Sequence, residues 1–254
     1  MRVHMDIVPI YHLCHEHSVT RMESMDMDKE ESNENAVNDD IGKTGHMPRH
    51  MRPMYDTDGG LVPVDALRDA ISHAVRNGSV SRRSINSDTL QGYDLKVRIG
   101  GKACVMRLDM ALALLKMTGD VSTDSYGRRI TGGYVTGTGK KRRAVRLTYL
   151  PYCPHARTER ERLHDACIDY AIPQSHGGET RLCNMQVMRA GMRARKRDVP
   201  MPVSSDDVDS ARRVINELLV GACRGLKDGS KKQNDVMGMC FREMEACDRM
   251  AERD

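Results

Sequence analysis

The sequence predicts an α+β fold in which an antiparallel sheet of two hairpins packs with several helices, behind a disordered acidic amino-terminal tail. Two segments, 95–107 and 126–150, alternate apolar and polar residues on either side of a glycine-containing turn. Apolar residues recur at helical spacing before these segments, over 64–75, and after them, over 163–251. Strands grouped between helices are typical of α+β proteins.

The amino-terminal segment is acidic and poor in apolar residues. Residues 1–60 hold 6 Lys+Arg against 12 Asp+Glu, so they have too little apolar surface to offset the entropy of ordering. We therefore predict a largely disordered tail over 1–60 and a compact α+β domain over 61–254, with a helical carboxy-terminal part.

The predicted domain begins with a helix and a hairpin. The spacing of apolar residues predicts a helix over 64–75, with Gly78 as its stop signal. Strands follow at 95–99 and 103–107, because Lys96 and Arg98 alternate there with apolar residues and Gly100-Gly101 supplies a two-residue turn.

A capped helix, a second hairpin and further helices complete the predicted order. Asp109 is expected to cap a helix over 110–117. The second hairpin turns at Gly137-Thr138-Gly139 and ends at Pro151. Beyond it, helical faces are predicted at Leu163, Ala166, Cys167 and Tyr170, at the methionines 185, 188 and 192, and over 205–222 and 236–251.

Composition restricts the kinds of site that the chain offers. It has one Phe, no Trp and 19 Met, which argues against sites that stack bases or sugars on aromatic rings. No apolar run is long enough for a membrane span, and residues 1–11 make a poor signal peptide. We therefore expect neither a transmembrane segment nor a signal peptide.

Charge is distributed unevenly along the chain. Residues 61–197 hold 25 Lys+Arg against 12 Asp+Glu, whereas 198–254 hold 9 against 12. The basic middle part indicates either solubility with self-association or a surface for nucleic acid or acidic lipid headgroups. Charge alone does not separate these alternatives.

Three basic clusters are the candidate sites for phosphate contact or nuclear import. The cluster at 140–143 follows a predicted hairpin turn and lacks the glycine and hydroxyl positions of a P-loop. The cluster at 193–197 closes a predicted helix, where cations also complement the helix dipole. The residues are Lys140, Lys141, Arg142, Arg143, Arg193, Arg195, Lys196, Arg197, Lys231 and Lys232.

Leu218 and Leu219 form a dileucine on the apolar face of a predicted helix, upstream of Lys231-Lys232. The pair is interpreted either as core or as a partner-docking surface.

Histidines and cysteines allow two interpretations. Zinc sites favour ligand pairs two to four residues apart, and Cys153/His155 with His164/Cys167 approach that spacing within the region 153–183. The alternative is reduced, mostly buried cysteines. We assign no metal ligand and no cofactor. No catalytic motif is present, so no catalytic residue is named and the protein is predicted not to be an enzyme.

The chain resembles the matrix proteins of nucleus-replicating plant rhabdoviruses. The similarity rests on its size, the predicted tail and α+β core, the stretch 146–151 ending in Tyr149-Leu150-Pro151, and Leu218-Leu219 with Lys231-Lys232. Arg52-Pro53-Met54-Tyr55 departs from the proline-tyrosine budding motif by having Arg in place of the first proline.

This resemblance implies a non-enzymatic structural protein that self-associates, condenses nucleocapsid and touches acidic membrane peripherally. Its expected locations are the virion and the host nucleus or inner nuclear membrane, and its expected partners are itself, nucleocapsid or RNA, anionic lipid and a nuclear import receptor. The alternative is a nucleic-acid-binding accessory or regulatory protein that uses the basic clusters on phosphates. A zinc-dependent enzyme is a third hypothesis and requires bound metal.

Overall fold

The computed structural model describes residues 61–84, 88–117, 127–137, 143–151, 158–224 and 231–252, with side chains of the last range from 234 onward. The strands in these ranges are β1 (Leu61–Pro63), β2 (Val80–Arg82), β3 (Tyr93–Ile99), β4 (Lys102–Arg107), β5 (Gly132–Thr136), β6 (Ala144–Thr148), β7 (Ala166–Tyr170) and β8 (Met185–Arg189). The helices are α1 (Val64–Arg76), α2 (Leu108–Lys116), α3 (Glu159–Arg162), α4 (Ala190–Lys196), α5 (Ser205–Arg224) and α6 (Lys231–Ala251). The predicted mixture of helices and strands is confirmed, whereas the predicted tail over 1–60 lies outside the described residues.

Six strands form one sheet in the order β1-β5-β6-β4-β3-β2. The β3–β4 hairpin pairs Val97 with Cys104 and turns at Gly100 and Gly101, whose φ angles of 54° and 75° suit glycine. The β5–β6 hairpin pairs Val135 with Val145. Both hairpins therefore lie where the alternation of the sequence predicts them.

The prediction of a purely antiparallel sheet is wrong, because β4 and β6 pair in parallel through Val105 and Ala144. After β4 the chain passes through α2 to β5, which is not a neighbour of β4 in the sheet. Strand β6 then lies between β5 and β4. A connection that contains a helix is long enough to allow such a parallel neighbour. The alternation of single strands carries no information about this crossover.

The prediction of helices at 163–170 and over the methionines 185–192 is also largely wrong. Residues 166–170 and 185–189 form a separate antiparallel pair, β7–β8, in which Cys167 faces Met188. A short 3-10 turn, Leu182–Asn184, begins the second strand. The buried Asn184 side chain accepts a hydrogen bond from the Ile172 N–H and donates one to the Ile172 carbonyl, which brings the two strands together.

One face of the six-stranded sheet is covered by helices. Helix α1 buries residues three and four apart, Leu67, Ile71, Ala74 and Val75 among them. Helix α2 is apolar on nearly all sides, and eight of its nine residues are buried, as expected for a helix at the centre of a core. Helices α5 and α6 pack on each other and extend the same core.

Asp109 does not cap a helix as predicted. The residue lies inside α2, whose N-cap is Arg107, and its side chain is fully buried. Its carboxylate accepts hydrogen bonds from Arg107 Nε at 3.0 Å and from the Met110 N–H at 2.8 Å. The carboxylate therefore binds the start of the helix from within the first turn, where an acidic group is also favoured by the helix dipole.

Two glycines allow α1 and α5 to approach each other. Gly78, with φ +58°, lies after the end of α1, and a Cβ there would be 2.6 Å from the Gly221 carbonyl oxygen of α5. A Cβ on Gly221 would be 2.1 Å from the Val75 carbonyl oxygen. Both obstacles are backbone atoms, so a side chain at either position requires the two helices to separate.

Gly221→Ala is therefore expected to destabilise the protein by about 2 kcal/mol or more, because inserting a methyl group into a closely packed contact usually costs that much. Gly238→Ala is the matched control, because its Cβ would meet nothing closer than an Arg242 nitrogen at 3.6 Å and alanine favours a helix interior. Urea unfolding measures both variants. Equal stabilities of Gly221→Ala and the wild type would contradict this helix contact.

Candidate nucleic-acid interface

An open cleft of about 720 Å³ lies between the sheet and the β7–β8 pair. Strands β4 and β6 line one side and β7 lines the other. An isolated bridge between Thr148 and Asp165 joins the end of β6 to the segment before β7, so the two sheets meet beside the cleft. Its charged and polar lining residues are Arg83, Gln91, Asp94, Arg107, Arg146, Asp165, Cys167, Tyr170 and Arg193. We call it the arginine cleft.

The four arginines of the cleft come from separate elements. Arg83 follows β2, Arg107 ends β4, Arg146 lies in β6 and Arg193 lies in α4. All four are exposed to solvent. Among the described residues, Arg83 and Arg146 form no ion pair, so their charges are available to a ligand.

The other two arginines are held by carboxylates at the edge of the cleft. Arg107 forms an ion pair with Asp109, and Arg193 Nε lies 3.6 Å from Asp169 Oδ1. Their side chains keep 45% and 54% of their surface exposed. A guanidinium oriented in this way still presents donors to a second partner, because it carries five N–H groups.

The cations continue from the cleft onto the open face of the sheet. Along β3, Leu95, Val97 and Ile99 point into the core, so Lys96 and Arg98 point to the opposite face. The register places Val105 beside Lys96, and Ala144 beside Val105. Arg107 and Arg146 therefore share that face, since each lies two residues further along its strand. We call Lys96, Arg98, Arg107 and Arg146 the basic face.

Two aspartates lie among the arginines of the cleft. Asp94 is almost fully buried and pairs across the sheet with Arg107. Asp165 is partly buried, and both of its carboxylate oxygens lie near the Tyr134 hydroxyl, at 2.8 and 3.1 Å. The described lining therefore holds four positive and two negative side chains, and two of the four arginines are also paired with Asp109 and Asp169 at its edge.

The thiol and the phenol in the cleft are held in their neutral forms. Burial raises the pKa of the Cys167 thiol, which donates to the Met188 carbonyl at 3.4 Å. Burial likewise raises the pKa of the Tyr170 phenol, whose oxygen accepts a hydrogen bond from Gln91 Nε2. At neutral pH both groups act as hydrogen-bonding groups rather than as anions.

The structure brings part of two predicted basic clusters to this cleft. Arg143 directly precedes the lining residue Ala144, and its carbonyl accepts a hydrogen bond from the Val105 N–H at 2.8 Å. Arg193 lines the cleft, whereas Arg195 and Arg197 are exposed outside the lining. Lys140, Lys141 and Arg142 lie outside the described residues.

The prediction that Lys196 belongs to a basic surface cluster is wrong. The residue is buried, its ammonium lies 2.9 Å from Asp169 Oδ2, and it donates to the Tyr170 carbonyl at 2.9 Å. The last turn of α4 packs on β7 and directs this side chain inward, so its charge is neutralised inside the domain. Lys196 is therefore not placed to contact phosphate or an import receptor in this fold.

The structure favours the core interpretation of Leu218 and Leu219. Leu218 is fully buried, and Leu219 is partly buried against the same core, so the structure places the dileucine in packing rather than on a docking surface. Lys231 and Lys232 begin α6, and their side chains are outside the described part of the structure.

Sequence reasoning did not identify Arg83, Arg107 or Arg146 as site residues. In the two hairpins, cations alternate with apolar residues. That alternation predicts strands, but it does not show which cations of different strands become neighbours. The parallel β4–β6 pair is what places Arg107 and Arg146 on one face, and the unexpected strand β7 closes the cleft.

Within the described ranges, no three His, Cys, Asp or Glu side chains are grouped so that they would hold a metal ion. His164 and Cys167 are described, whereas Cys153 and His155 of the zinc hypothesis are not. In the same ranges, no helix combines the length and the apolar character needed to cross a membrane.

Comparison of the chain with protein-family models, with curated proteins and with solved structures found no significant match.

Proposed function

We propose that this chain is a non-enzymatic protein that binds nucleic acid by its phosphates, in the arginine cleft and along the basic face. The proposal rests on one observation. Arginines from four elements that are distant in the sequence line one open cleft, and two of them, Arg83 and Arg146, form no ion pair among the described residues.

The chemistry of these side chains fits a phosphodiester chain. A guanidinium is planar, always charged and able to bind phosphate through two N–H groups at once. Lys96 and Arg98 extend the cations beyond the cleft, so one strand is able to contact more than one of these cations. Contacts of this kind position a nucleic acid without reading its sequence.

Salt dependence tests this proposal. The full chain is expected to bind a fluorescent single-stranded RNA with an affinity that falls steeply between about 50 and 200 mM salt, with a log-log slope of about −0.7 for each phosphate neutralised. Fluorescence anisotropy measures the slope. A slope near zero, or binding to anionic vesicles with none to RNA, would contradict the proposal.

The matrix-like scaffold suggested by the resemblance is a second candidate, because apolar side chains are exposed on the carboxy-terminal helices. Phe241 of α6 is 52% exposed and Val220 of α5 is 41% exposed, and this candidate assigns these two side chains to contact with another chain or a membrane. This candidate shares RNA or nucleocapsid as a partner and adds self-association, anionic membrane and a nuclear import receptor.

Sedimentation and vesicle flotation separate the two candidates. A chain that remains monomeric and ignores anionic vesicles would overturn the scaffold and leave nucleic-acid binding. Concentration-dependent assembly together with salt-sensitive flotation would favour the scaffold, with the virion and the inner nuclear membrane as its proposed locations.

A further inference from the structure

We infer that Cys183 and Cys247 are a redox-sensitive pair, which hydrogen peroxide converts into a disulfide that joins α6 to the 3-10 turn before β8. The described part of the structure holds six free cysteines, and these two come from elements that are distant in the sequence. The inference goes beyond the proposed function, which makes no use of either thiol.

Glu243 of α6 holds the turn before β8 against that helix. Its carboxylate accepts hydrogen bonds from the Leu182 N–H at 2.8 Å and from Arg181 Nη1 at 3.2 Å. Cys183 follows Leu182 directly, and Cys247 lies four residues after Glu243, which places it about one helical turn further on the same face of α6. The backbone on both sides therefore brings the two cysteines together.

The two thiols are in direct contact. The Cys247 S–H donates a hydrogen bond to the Cys183 sulfur, and the two residues are buried, with 0% and 2% of their surface exposed. A disulfide requires the sulfurs to approach to about 2.05 Å. Because the sulfurs are already neighbours, this bond requires an adjustment at one contact and no new meeting of distant elements.

The contact makes the two thiols chemically unequal. The hydrogen bond from Cys247 lowers the pKa of the Cys183 thiol, and the nearby Lys116 ammonium also lowers it, against the opposing effects of burial and of Glu243. The same hydrogen bond, together with burial, raises the pKa of the Cys247 thiol. The thiolate is the reactive form of cysteine, so Cys183 is the sulfur that reacts first.

The oxidation removes two electrons from the pair, and hydrogen peroxide accepts them. The Cys183 thiolate attacks one peroxide oxygen, the O–O bond breaks, and the departing hydroxide takes up the proton that the thiol released and becomes water. The Cys247 sulfur then attacks the sulfenic acid formed on Cys183. The S–S bond forms, the S–O bond breaks, and the hydroxyl leaves with the Cys247 proton as a second water.

Peptide mapping of the full chain tests this inference. The protein is treated with hydrogen peroxide, unfolded in the presence of N-ethylmaleimide and digested with trypsin without a reductant. Cys183 then lies in the peptide 182–189 and Cys247 in the peptide 243–249, and each peptide contains one cysteine. The expected product is the two peptides joined, two hydrogens lighter than their sum, and it should disappear after treatment with dithiothreitol.

The disulfide should also stabilise the fold, because it restricts the unfolded chain. Peroxide-treated protein is expected to unfold at a temperature about 5 °C higher before dithiothreitol than after it. This comparison isolates the disulfide, since dithiothreitol leaves oxidised methionines unchanged. Cys247→Ala should lose both the joined peptide and the stabilisation. Cys240→Ala is the matched control, because it removes another buried thiol from α6, and it should keep both.

Three results would overturn the inference. In the first, Cys183 and Cys247 are recovered as maleimide adducts while the exposed Cys223 is oxidised. In the second, Cys183 is joined to a different cysteine, and in the third the joined pair leaves the unfolding temperature unchanged. The wild-type peptide map decides whether the disulfide forms even if Cys247→Ala fails to fold. None of these measurements involves RNA, so their failure is distinguishable from a failure of the proposed function.

Discussion

Replacing Arg146 and Arg193 together with alanine is expected to weaken the binding of single-stranded RNA on the order of 100-fold, because each charge-assisted hydrogen bond contributes about 1.5–3 kcal/mol. Arg146 lies on β6 and Arg193 on α4, and both line the arginine cleft. The salt slope should also become shallower by about 1.4, since two phosphate contacts on a single strand are lost. Anisotropy titrations across salt measure both changes.

Arg213→Ala is the control for the loss of one positive charge outside the cleft. Arg213 lies on α5 and is exposed, and among the described residues it forms only a surface pair with Glu217 at 3.7 Å, which contributes little to stability. It should change the affinity for RNA by less than the removal of either cleft arginine. If the control weakens binding as much as the double variant does, binding follows total charge and the cleft has no special role.

Glu243→Ala is expected to reduce the free energy of unfolding by about 3 kcal/mol, in the range for breaking a buried charged pair. Glu243 of α6 is 1% exposed and accepts hydrogen bonds from the Leu182 N–H at 2.8 Å and from Arg181 Nη1 at 3.2 Å. Alanine would leave a buried N–H without an acceptor and an arginine without its nearest carboxylate. Chemical denaturation measures the loss.

Glu243→Gln separates the hydrogen bond from the charge. The amide oxygen still accepts from the Leu182 N–H, so this variant should be more stable than Glu243→Ala. A glutamine as destabilising as the alanine would show that the ionised carboxylate, rather than the acceptor, holds the turn at Leu182–Asn184.

The pH dependence of stability has a definite sign at Glu243. Burial raises the pKa of its carboxyl above the ordinary value of 4.5, so the folded state binds the proton more tightly than the unfolded state does. The stabilisation of the folded state that comes from this tighter proton binding is complete below pH 4.5, and it is lost as the pH rises through the raised pKa of the folded state. Glu243→Gln lacks a titrating group and should lose this part of the slope.

The local parts of the fold were predictable because their signals are local. The β3–β4 hairpin follows from alternation around Gly100-Gly101, and α1 and α5 follow from apolar spacing. The methionines at 185 and 188 lie three apart, which suits a helix, but the buried Asn184 side chain bonds to Ile172 and sets β8 against β7. That long-range pairing has no counterpart in periodicity.

The candidate site was predictable only in part for the same reason. Arg143 and Arg193 belong to visible clusters, and the structure brings them close to or into the cleft. Lys196 belongs to a visible cluster too, but its side chain is buried, because its ammonium forms an ion pair with Asp169 of β7. Arg107 and Arg146 stand singly in the sequence, so only the parallel strand pair reveals them as neighbours.

The edge strands of the six-stranded sheet determine whether copies of this chain are able to pair strand to strand. Within the described residues, its two edge strands are only three residues long, and β1 ends in Pro63, which has no N–H to donate. Short edges with a missing donor offer a poor template for strand-to-strand extension. This sheet is therefore poorly suited to grow by pairing with a strand of another copy at either of its two edges.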